Sequence, residues 1–342
     1  MIPQVDLAPG YRISRLIKGG WHLAGGHGPV EADVAVRDMA AFVEAGFTVF
    51  DCADIYTGVE ELIGRFRREH PALARALRVH TKFVPDLDRL ADTDATAVEA
   101  IIDRSLARLG QERLDLVQFH WWDYSIPRYV EVALELERLR RKGKIERIGL
   151  TNFGATQLRE ILAAGVPVLA HQVQCSVLDD RPRHGMTDLC REHGIALLCY
   201  GTVAGGFLSE RWIGRDDPHG PFENRSLTKY RLIIEEFGSW ALFQELLQAL
   251  AAVSRRHETD IASVATRLVL DQRAVAAAIV GATNTVHLDR HRRIGEIALD
   301  DRDRAEVEAV LGRRHGPAGE VYALERDRDG RHGRIMKYRL NR

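Results

Sequence analysis

An acid and a phenol follow a short apolar run early in the chain. Asp51 ends the run, which begins at Phe47, and Tyr56 stands five residues further on. A carboxyl and a phenol placed where a buried strand ends are groups that can hold and transfer protons. Taken alone, the pair is better explained by a turn-forming Asp and a packed Tyr. The interpretation therefore depends on which groups the fold brings beside them.

Lys82 and His120 are the partners that proton transfer needs, and each stands at the end of a predicted strand. A buried ammonium requires a counter-charge, which Asp51 can supply from the neighbouring strand. A lysine held in this way stabilises a phenolate, so we expect it to lower the pKa of Tyr56 towards neutrality. A neutral imidazole at His120 could hold a carbonyl oxygen or relay a proton. A purely structural Asp–Lys ion pair would leave Tyr56 and His120 without a role.

Other strand ends carry groups suited to a planar cofactor and an apolar pocket. Tyr200 offers a flat face for stacking, while Thr151, Asn152 and Gln172 offer hydrogen bonds to the polar edge of a ring. Gly20 directly follows the first predicted strand and is included among the cofactor contacts. Tryptophans next to strand ends are predicted to line the substrate pocket, and they are Trp21, Trp121 and Trp122.

The end of the last predicted strand has the features of a phosphate site. The chain turns there through Gly281, Ala282 and Thr283 into a predicted helix. A helix N-terminus after the last strand of a parallel barrel is the usual position for a phosphate. Three nearby groups complete the predicted cofactor contacts: His287, Arg290 and His291. Together they predict an extended phosphorylated cofactor that lies across the rim.

These residues converge only in a parallel barrel, and the alternation of segments predicts one. Short β-branched runs are each followed by an amphipathic segment. The predicted strands are 14–19, 48–51, 78–82, 114–119, 147–150, 169–173, 196–200 and 277–280, and the predicted helices between them include 30–44, 60–69, 96–109, 128–142, 155–164, 185–193 and 261–272. Eight such units in about 250 residues indicate a closed (β/α)8 TIM barrel. A doubly wound open sheet is disfavoured because no GxGxxG motif opens an early helix.

Two segments depart from this alternation. The interval 201–275 holds a polar stretch at 211–225 and a long amphipathic helix at 240–256. Loops of such length commonly close over a site, so a lid or cofactor belt is favoured over a solvated insertion. The Gly-, Arg- and His-rich segment 312–342 is predicted to be an irregular, solvated tail. The whole chain, 1–342, is predicted to form a single domain with a barrel core at about 14–299.

Composition excludes several classes of function. The 342 residues carry a formal net charge of -1, so no overall field attracts nucleic acid or an anionic membrane surface. Four cysteines lack metal-ligand spacing and are expected to be reduced, and no metal site is predicted. The chain start, from Met1, lacks the pattern of a signal peptide, and no apolar run approaches the roughly 18 residues of a membrane span. These features predict a cytoplasmic protein with a small-molecule substrate, of unknown oligomeric state.

Nucleophilic catalysis is weakly supported. No Ser or Cys stands in a nucleophile-elbow pattern. A Schiff base at Lys82 would need the neutral amine, which a neighbouring Asp51 carboxylate disfavours.

Several pieces of the chain resemble the aldo-keto reductase family, in the same order and spacing, between about residues 17 and 299. They are Phe50-Asp51 with Tyr56, Glu61-Leu62-Ile63-Gly64, Lys82, the segments 115–121 and 143–153, Gln172 and Tyr200. The resemblance implies a catalytic tetrad of Asp51, Tyr56, Lys82 and His120. It also implies a nicotinamide held by Asn152, Gln172 and Tyr200, with hydride transfer to an aldehyde, ketone or sugar carbonyl, or the reverse oxidation of an alcohol.

The part that would bind adenosine departs from the family pattern. Arg290-His291 stand where the family usually has Glu-Asn, and His287 aligns with an Arg that often binds the 2′-phosphate. Thr151 replaces a frequent Ser, and Cys175 replaces a common Tyr. The neighbouring cations favour NADP(H) as cofactor, with NAD(H) as the alternative.

Two other classes of function stay open. One is a non-redox isomerase, dehydratase or lyase that uses Tyr56, Lys82 and His120 for proton transfer alone. The other is a regulatory subunit that binds cofactor without turnover.

Overall fold

A closed barrel of eight parallel strands forms the centre of the molecule. The computed structural model describes residues 2–340. In that part of the chain β1 and β2 form an antiparallel hairpin, and β3 to β10 close in the order β10-β3-β4-β5-β6-β7-β8-β9. The strands are β1 (Gln4–Ala8), β2 (Tyr11–Ser14), β3 (Leu16–Gly19), β4 (Val49–Asp51), β5 (Arg78–Phe83), β6 (Leu114–Phe119), β7 (Ile145–Thr151), β8 (Val168–Gln174), β9 (Ala196–Tyr200) and β10 (Val275–Gly281).

Helices surround the barrel and make up most of the segment before its last strand. They are α1 (Ala32–Glu44), α2 (Val59–Glu69), α3 (Pro71–Ala74), α4 (Ala95–Leu109), α5 (Tyr129–Arg141), α6 (Ala155–Ala163), α7 (Met186–Glu192), α8 (Arg225–Phe237), α9 (Trp240–Arg256), α10 (Ile261–Leu270), α11 (Leu288–Arg293), α12 (Asp301–Leu311) and α13 (Ala323–Arg326). Among residues 2–340, no helix has both the length and the apolar character needed to cross a membrane.

The predicted barrel is confirmed. β6 and β9 begin and end at the predicted residues. The first predicted strand, 14–19, is wrong at its start, because Ser14 ends β2 and the barrel strand begins at Leu16. Arg15 lies between the two strands, and its guanidinium donates to the carbonyl oxygens of Leu270, Val275 and Ala276. These bonds fix the turn from the hairpin into the barrel.

Glycines end the helices of the barrel where the sequence places them. Gly110 has φ of 62° and caps α4, and its backbone N–H donates back into the last turn. Such a left-handed conformation is strained for residues with a Cβ atom, which explains why Gly stands there. The other predicted end glycines also have positive φ: Gly46, Gly143, Gly165 and Gly194.

The N-terminal hairpin contributes to the core inside the barrel. Tyr11 and Ile13 of β2 are fully buried in a cluster with strand residues such as Ile17 and Leu116. The Tyr11 hydroxyl lies 3.2 Å from Nε2 of the buried His80. Because β2 leads directly into β3, the hairpin is held against one end of the barrel. The residues expected to do chemistry stand at the opposite, carboxyl ends of the strands.

The long interval before β10 is largely helical and has its own apolar core. The predicted helix at 240–256 is confirmed as α9, whereas α8 was not foreseen in the sequence. Asn224 and Ser239 cap α8 and α9 by accepting backbone N–H groups. Apolar residues of both helices pack with residues of α10 and α12 in a second core cluster. The interval is therefore a packed subassembly and not a solvated loop.

The prediction of a solvated tail at 312–342 is wrong for the part that the structure describes. The segment is irregular apart from α13 and a short 3-10 turn, but Val321, Tyr322, Glu325 and His332 are all buried. The apolar run 321–324 explains this, because burying it against the barrel removes it from water. Asn341 and Arg342 lie outside the described residues.

Candidate active site

An ion pair between two neighbouring strands forms the base of the site. Asp51 is the last residue of β4, and Lys82 stands near the end of β5. Nζ of Lys82 donates to Oδ2 of Asp51 at 2.6 Å and to the carbonyl oxygen of Cys52 at 2.8 Å. Both side chains are almost fully buried, with 6% and 5% exposed. The carboxylate is the counter-charge that a buried ammonium requires.

Two glutamines donate hydrogen bonds to the second carboxylate oxygen of Asp51. Its Oδ1 accepts from Nε2 of Gln118 at 2.9 Å and from Nε2 of Gln172 at 2.6 Å. Both carboxylate oxygens of Asp51 thus bind side chains inside the barrel, and one of these side chains is Lys82. Gln118 was not recognised in the sequence. Strand alternation contained the signal, because Gln118 stands two residues before His120 and so faces the same side.

The expected lowering of the Tyr56 pKa is wrong in sign. Tyr56 is half-buried, and Nζ of Lys82 lies 4.8 Å from the centroid of its ring. Burial raises the pKa of the phenol, and the nearby ammonium only partly offsets this. Burial also opposes the charge on Lys82, but the contact with Asp51 holds the pKa of Lys82 above its usual value. At neutral pH the pair is thus a protonated phenol beside an ammonium, the form that can donate a proton.

The His120 ring is oriented by a backbone carbonyl. Nδ1 lies 3.2 Å from the carbonyl oxygen of Thr151, which can only accept, so Nδ1 carries the proton. Nε2 is buried and makes no hydrogen bond. Burial lowers the pKa of His120 to about 3, with smaller effects from Arg326 and Lys82. Nε2 therefore carries a lone pair, which suits a proton relay or a bond from a hydroxyl and not the expected bond to a carbonyl oxygen.

The residues predicted to hold a nicotinamide lie together at the ends of β7, β8 and β9. Tyr200 donates through its hydroxyl to Oδ1 of Asn152 at 2.9 Å, which leaves the Asn152 amide nitrogen as a donor. Gln172 uses its amide nitrogen on Asp51 and on Gln118, at 2.9 Å, which leaves its oxygen as an acceptor. One free donor and one free acceptor match the oxygen and the NH2 group of a carboxamide. These residues therefore fit the carboxamide of a nicotinamide. Thr151 adds the carbonyl that orients His120.

The residues predicted to hold the phosphates and adenosine do not share one environment, because some are exposed and others contact protein groups. Gly281 and Thr283 are exposed at the end of β10, while Ala282 is buried. His287 is exposed, and Arg290 pairs with Asp260 at 3.0 Å. The His291 ring turns inward, 6.2 Å from the Phe47 ring, and burial lowers its pKa to about 4.

Two glycines at these strand ends are close to other groups. A Cβ atom on Gly20 would lie 2.7 Å from the carbonyl oxygen of Asp51, so this glycine permits close strand packing. A Cβ atom on Gly281 would overlap the ring of His22.

Two of the three predicted tryptophans line the mouth. Trp21 contacts Tyr56 edge to face, with ring centroids 5.1 Å apart, and Trp122 contacts His120 in the same way at 4.3 Å. Trp121 is fully buried against Phe119 on the outer side of the barrel wall. The pocket assignment of Trp121 is therefore corrected, for the same alternation that turns His120 inward turns its neighbour outward.

Side chains from distant parts of the sequence cover the mouth. Nζ of Lys229, from α8, lies 5.2 Å from the ring centroid of Tyr200, 5.7 Å from that of Tyr230 and 5.8 Å from that of Tyr322. The Tyr322 ring also meets His120 edge to face at 5.5 Å. Neither Lys229 nor Tyr322 was foreseen in the sequence, because nothing in their local pattern indicates where α8 and the C-terminal segment pack.

Asp54, between the first acid and the phenol, is structural. Its Oδ2 accepts the backbone N–H of Val84 at 3.1 Å, which ties the turn after β4 to the end of β5. Burial raises the pKa of Asp54 well above its usual value.

The chain is similar in sequence to known reductases. A family model described as Aldo/keto reductase family matches residues 15–311. Flagellar radial spoke protein 5 of Chlamydomonas reinhardtii is 28% identical over 259 residues, which cover 64% of this chain and 49% of that protein. The aldo-keto reductase yakc (NADP(+)) of Schizosaccharomyces pombe is 32% identical over 60% of this chain and 63% of its own length. The NADH-specific methylglyoxal reductase of Escherichia coli is 24% identical over 85% of this chain and 92% of that protein. The chain thus spans about half the length of the first relative and under two thirds of the second.

A solved structure has the same fold. The glycerol dehydrogenase AKR11B4 from Gluconobacter oxydans superposes with a TM-score of 0.77 at 23% sequence identity. The superposition covers 93% of this chain and 97% of that one, so the barrel and its additions are shared over nearly the whole length.

Proposed function

Because this chain belongs to the aldo/keto reductase family, we propose that it is a nicotinamide-dependent oxidoreductase. Its substrate is an aldehyde, ketone or sugar carbonyl, or the corresponding alcohol in the reverse direction. The observation that carries the proposal is the buried ion pair of Lys82 and Asp51 beside the Tyr56 phenol. A structural ion pair alone would not place a phenol and a neutral imidazole at the same mouth.

In the proposed mechanism each residue of the tetrad has a separate task. The bound nicotinamide supplies the hydride. Tyr56 donates its proton to the carbonyl oxygen of the substrate, and the ammonium of Lys82 stabilises the phenolate that remains. Asp51 keeps Lys82 charged and in place through the 2.6 Å contact. Nε2 of His120, which carries a lone pair, accepts a hydrogen bond from the product hydroxyl group after the proton has left Tyr56.

The cofactor is proposed to be NADP(H), with NAD(H) as the alternative. The free donor of Asn152 and the free acceptor of Gln172 match the carboxamide that both dinucleotides carry. The preference for NADP(H) rests on Arg290 and its neighbouring cations. Relatives named for NADP(+) and for NADH both occur, so the family name leaves the preference open. A planar ring stacked on Tyr200 would take the face opposite Lys229 or displace its ammonium.

Titration with NADPH and NADH, followed by protein fluorescence, tests the proposal. Trp21 and Trp122 stand at the mouth, so a nicotinamide bound there should quench emission in a saturable way. ADP, which lacks the nicotinamide, serves as the control for absorption by adenine. If neither dinucleotide binds at millimolar concentration, the redox function is to be abandoned. A screen of aldehydes, ketones and sugars with the bound cofactor then identifies the substrate class.

A non-redox proton-transfer enzyme is the second candidate. The observation that favours it concerns the predicted adenosine site. There Arg290 forms an ion pair with Asp260, and the His291 ring packs near the Phe47 ring. Such an enzyme would exchange the α-hydrogen of a carbonyl compound with deuterium from solvent in the absence of any dinucleotide. Proton NMR of the compound panel in D2O distinguishes the two candidates.

We also propose a cytoplasmic location and a single-domain organisation over 1–342. The four cysteines are free and buried, which agrees with a reducing compartment but does not require one.

A further inference from the structure

We propose that Arg326 of the C-terminal segment is a positioning residue of the active site, where its guanidinium joins the two loops that carry His120 and Asn152. The inference rests on the proposed function of these two residues. The segment lies outside the matched region 15–311 and was expected to be solvated.

The guanidinium of Arg326 binds three backbone carbonyl oxygens at the mouth of the barrel. Nη1 donates to the carbonyl oxygens of Trp121 at 2.5 Å and Trp122 at 2.9 Å. Nη2 donates to the carbonyl oxygen of Asn152 at 2.7 Å. A planar fork with fixed donor directions can make these bonds together, whereas a lysine ammonium is a single point of charge.

These bonds reach the residues of the site through the chain itself. Trp121 and Trp122 directly follow His120, and Asn152 directly follows Thr151, whose carbonyl oxygen orients the His120 ring. The Arg326 guanidinium therefore fixes the distance between the loop after β6 and the end of β7. That distance sets both the direction of Nε2 of His120 and the position of the Asn152 amide.

The surroundings of Arg326 hold it in this position. Its guanidinium carbon lies 3.8 Å from the ring centroid of Tyr124, a stacking contact. The adjacent Glu325 forms a buried ion pair with Arg181, with Nη1 to Oε2 at 2.9 Å. An arginine held between an aromatic face and a fixed segment loses little further freedom when it binds the three carbonyls.

Arg326 also contributes to the electrostatics of His120. The groups that face the His120 imidazole are Arg326, Lys82, the Thr151 carbonyl and the rings of Trp122 and Tyr322. Both cations disfavour a proton on Nε2, in addition to burial. Substitution separates the effect of the Arg326 charge from the effect of its hydrogen-bond geometry. Lysine at position 326 keeps the positive charge but cannot make the same three hydrogen bonds.

The test compares Arg326→Lys and Arg326→Met in the full-length protein. Arg328→Gln is the matched control, since that arginine is 56% exposed and forms an ion pair with Asp123 at 3.3 Å. Three quantities are measured: kcat and KM with one carbonyl substrate, the affinity for the dinucleotide, and the tautomer and pKa of His120. The last comes from NMR of protein with ¹⁵N-labelled histidine, with the His120 signal assigned by its loss in His120→Gln.

If Arg326 positions the site, both variants lower kcat by about tenfold or more, as a displacement of catalytic groups by roughly an ångström does. Dinucleotide affinity also falls in both, through Asn152. The pKa of His120 rises in Arg326→Met but stays low in Arg326→Lys, and the control leaves all quantities within twofold of wild type. If Arg326→Met fails to fold, the measurements on Arg326→Lys test the proposal by themselves, because lysine keeps the positive charge and the aliphatic part of the side chain.

The proposal is overturned if Arg326→Lys retains wild-type kcat and dinucleotide affinity, or if the pKa of His120 in Arg326→Met is the same as in wild type. A wild-type protein that reduces no carbonyl would contradict the proposed function. In that case the NMR measurement still tests whether Arg326 holds the imidazole.

Discussion

At the scale of single residues, Asp51 and Tyr56 have different surroundings. Both carboxylate oxygens of Asp51 accept hydrogen bonds from side chains, namely those of Lys82, Gln118 and Gln172. Tyr56 is half-buried at the mouth beside Lys82. These contacts support our proposal that the acid acts through the lysine and that the phenol faces the substrate.

Tyr56→Phe is predicted to reduce turnover by roughly 10² to 10⁴-fold, because it removes the proton donor. Dinucleotide affinity should change little, since Asn152, Gln172 and Tyr200 remain in place. Tyr129→Phe is the matched control, because the Tyr129 hydroxyl donates to Glu160 away from the mouth. Single-turnover kinetics and fluorescence titration measure the two quantities. Turnover within a few-fold of wild type would remove Tyr56 from the role of acid.

At the scale of elements, the approach of α2 to α4 depends on one glycine. Gly64 belongs to the stretch Glu61-Leu62-Ile63-Gly64 that resembles the family. A Cβ atom at Gly64 would lie 2.0 Å from the carbonyl oxygen of Arg108 at the end of α4. No flexible side chain can yield there, so the helices themselves would have to separate.

Gly64→Ala is predicted to lower the free energy of unfolding by about 2 kcal/mol or more, in the upper part of the range for overpacking. Gly26→Ala is the matched control, because its added methyl group meets nothing within 4 Å. Urea denaturation followed by circular dichroism gives both values. Equal stability of the two variants would show that the helices do not pack as closely as described.

At the scale of the whole molecule, one buried cluster joins three parts of the chain that are distant in sequence. Glu325 of the C-terminal segment binds Arg181, which follows β8, and lies 3.6 Å from Nζ of Lys229 on α8. Asp179 completes the cluster with a 2.7 Å contact to Arg181. The two acids balance the two cations, so the C-terminal segment and α8 are held over the mouth together.

Glu325→Gln is predicted to lower the free energy of unfolding at neutral pH by roughly 3 kcal/mol, because it leaves buried cations unbalanced. Burial raises the pKa of Glu325, but Lys229 and Arg181 outweigh it and lower the pKa to about 2. A carboxyl group with a depressed pKa stabilises the fold above its ordinary pKa and loses that contribution as the pH falls towards the folded value. The difference between wild type and variant should therefore be constant above pH 5 and shrink between about pH 4.5 and 2.

Glu308→Gln, on the exposed side of α12, is the control for loss of a surface charge. Urea denaturation at several pH values gives the comparison. A difference between wild type and Glu325→Gln that does not depend on pH would mean that the carboxylate is not the stabilising group.

The sequence by itself determined the barrel and the tetrad. Strands with a period of two, amphipathic helices and glycines at helix ends are local sequence patterns. The carboxyl ends of parallel barrel strands meet at one rim, independently of the conformation of the loops. That rule brings Asp51, Lys82 and His120 to the rim, with Tyr56 five residues beyond the end of β4. The family resemblance implied that these four form a tetrad. The tertiary structure decided what touches them: the raised pKa of Tyr56, the tautomer of His120, and the cover formed by Lys229, Tyr322 and Arg326. Arg326 and Asn152 are 174 residues apart, and the C-terminal segment that carries Arg326 has no repeating pattern from which its packing could be read. Burial and long-range contacts of irregular segments depend on the assembled surface, which only the folded chain provides.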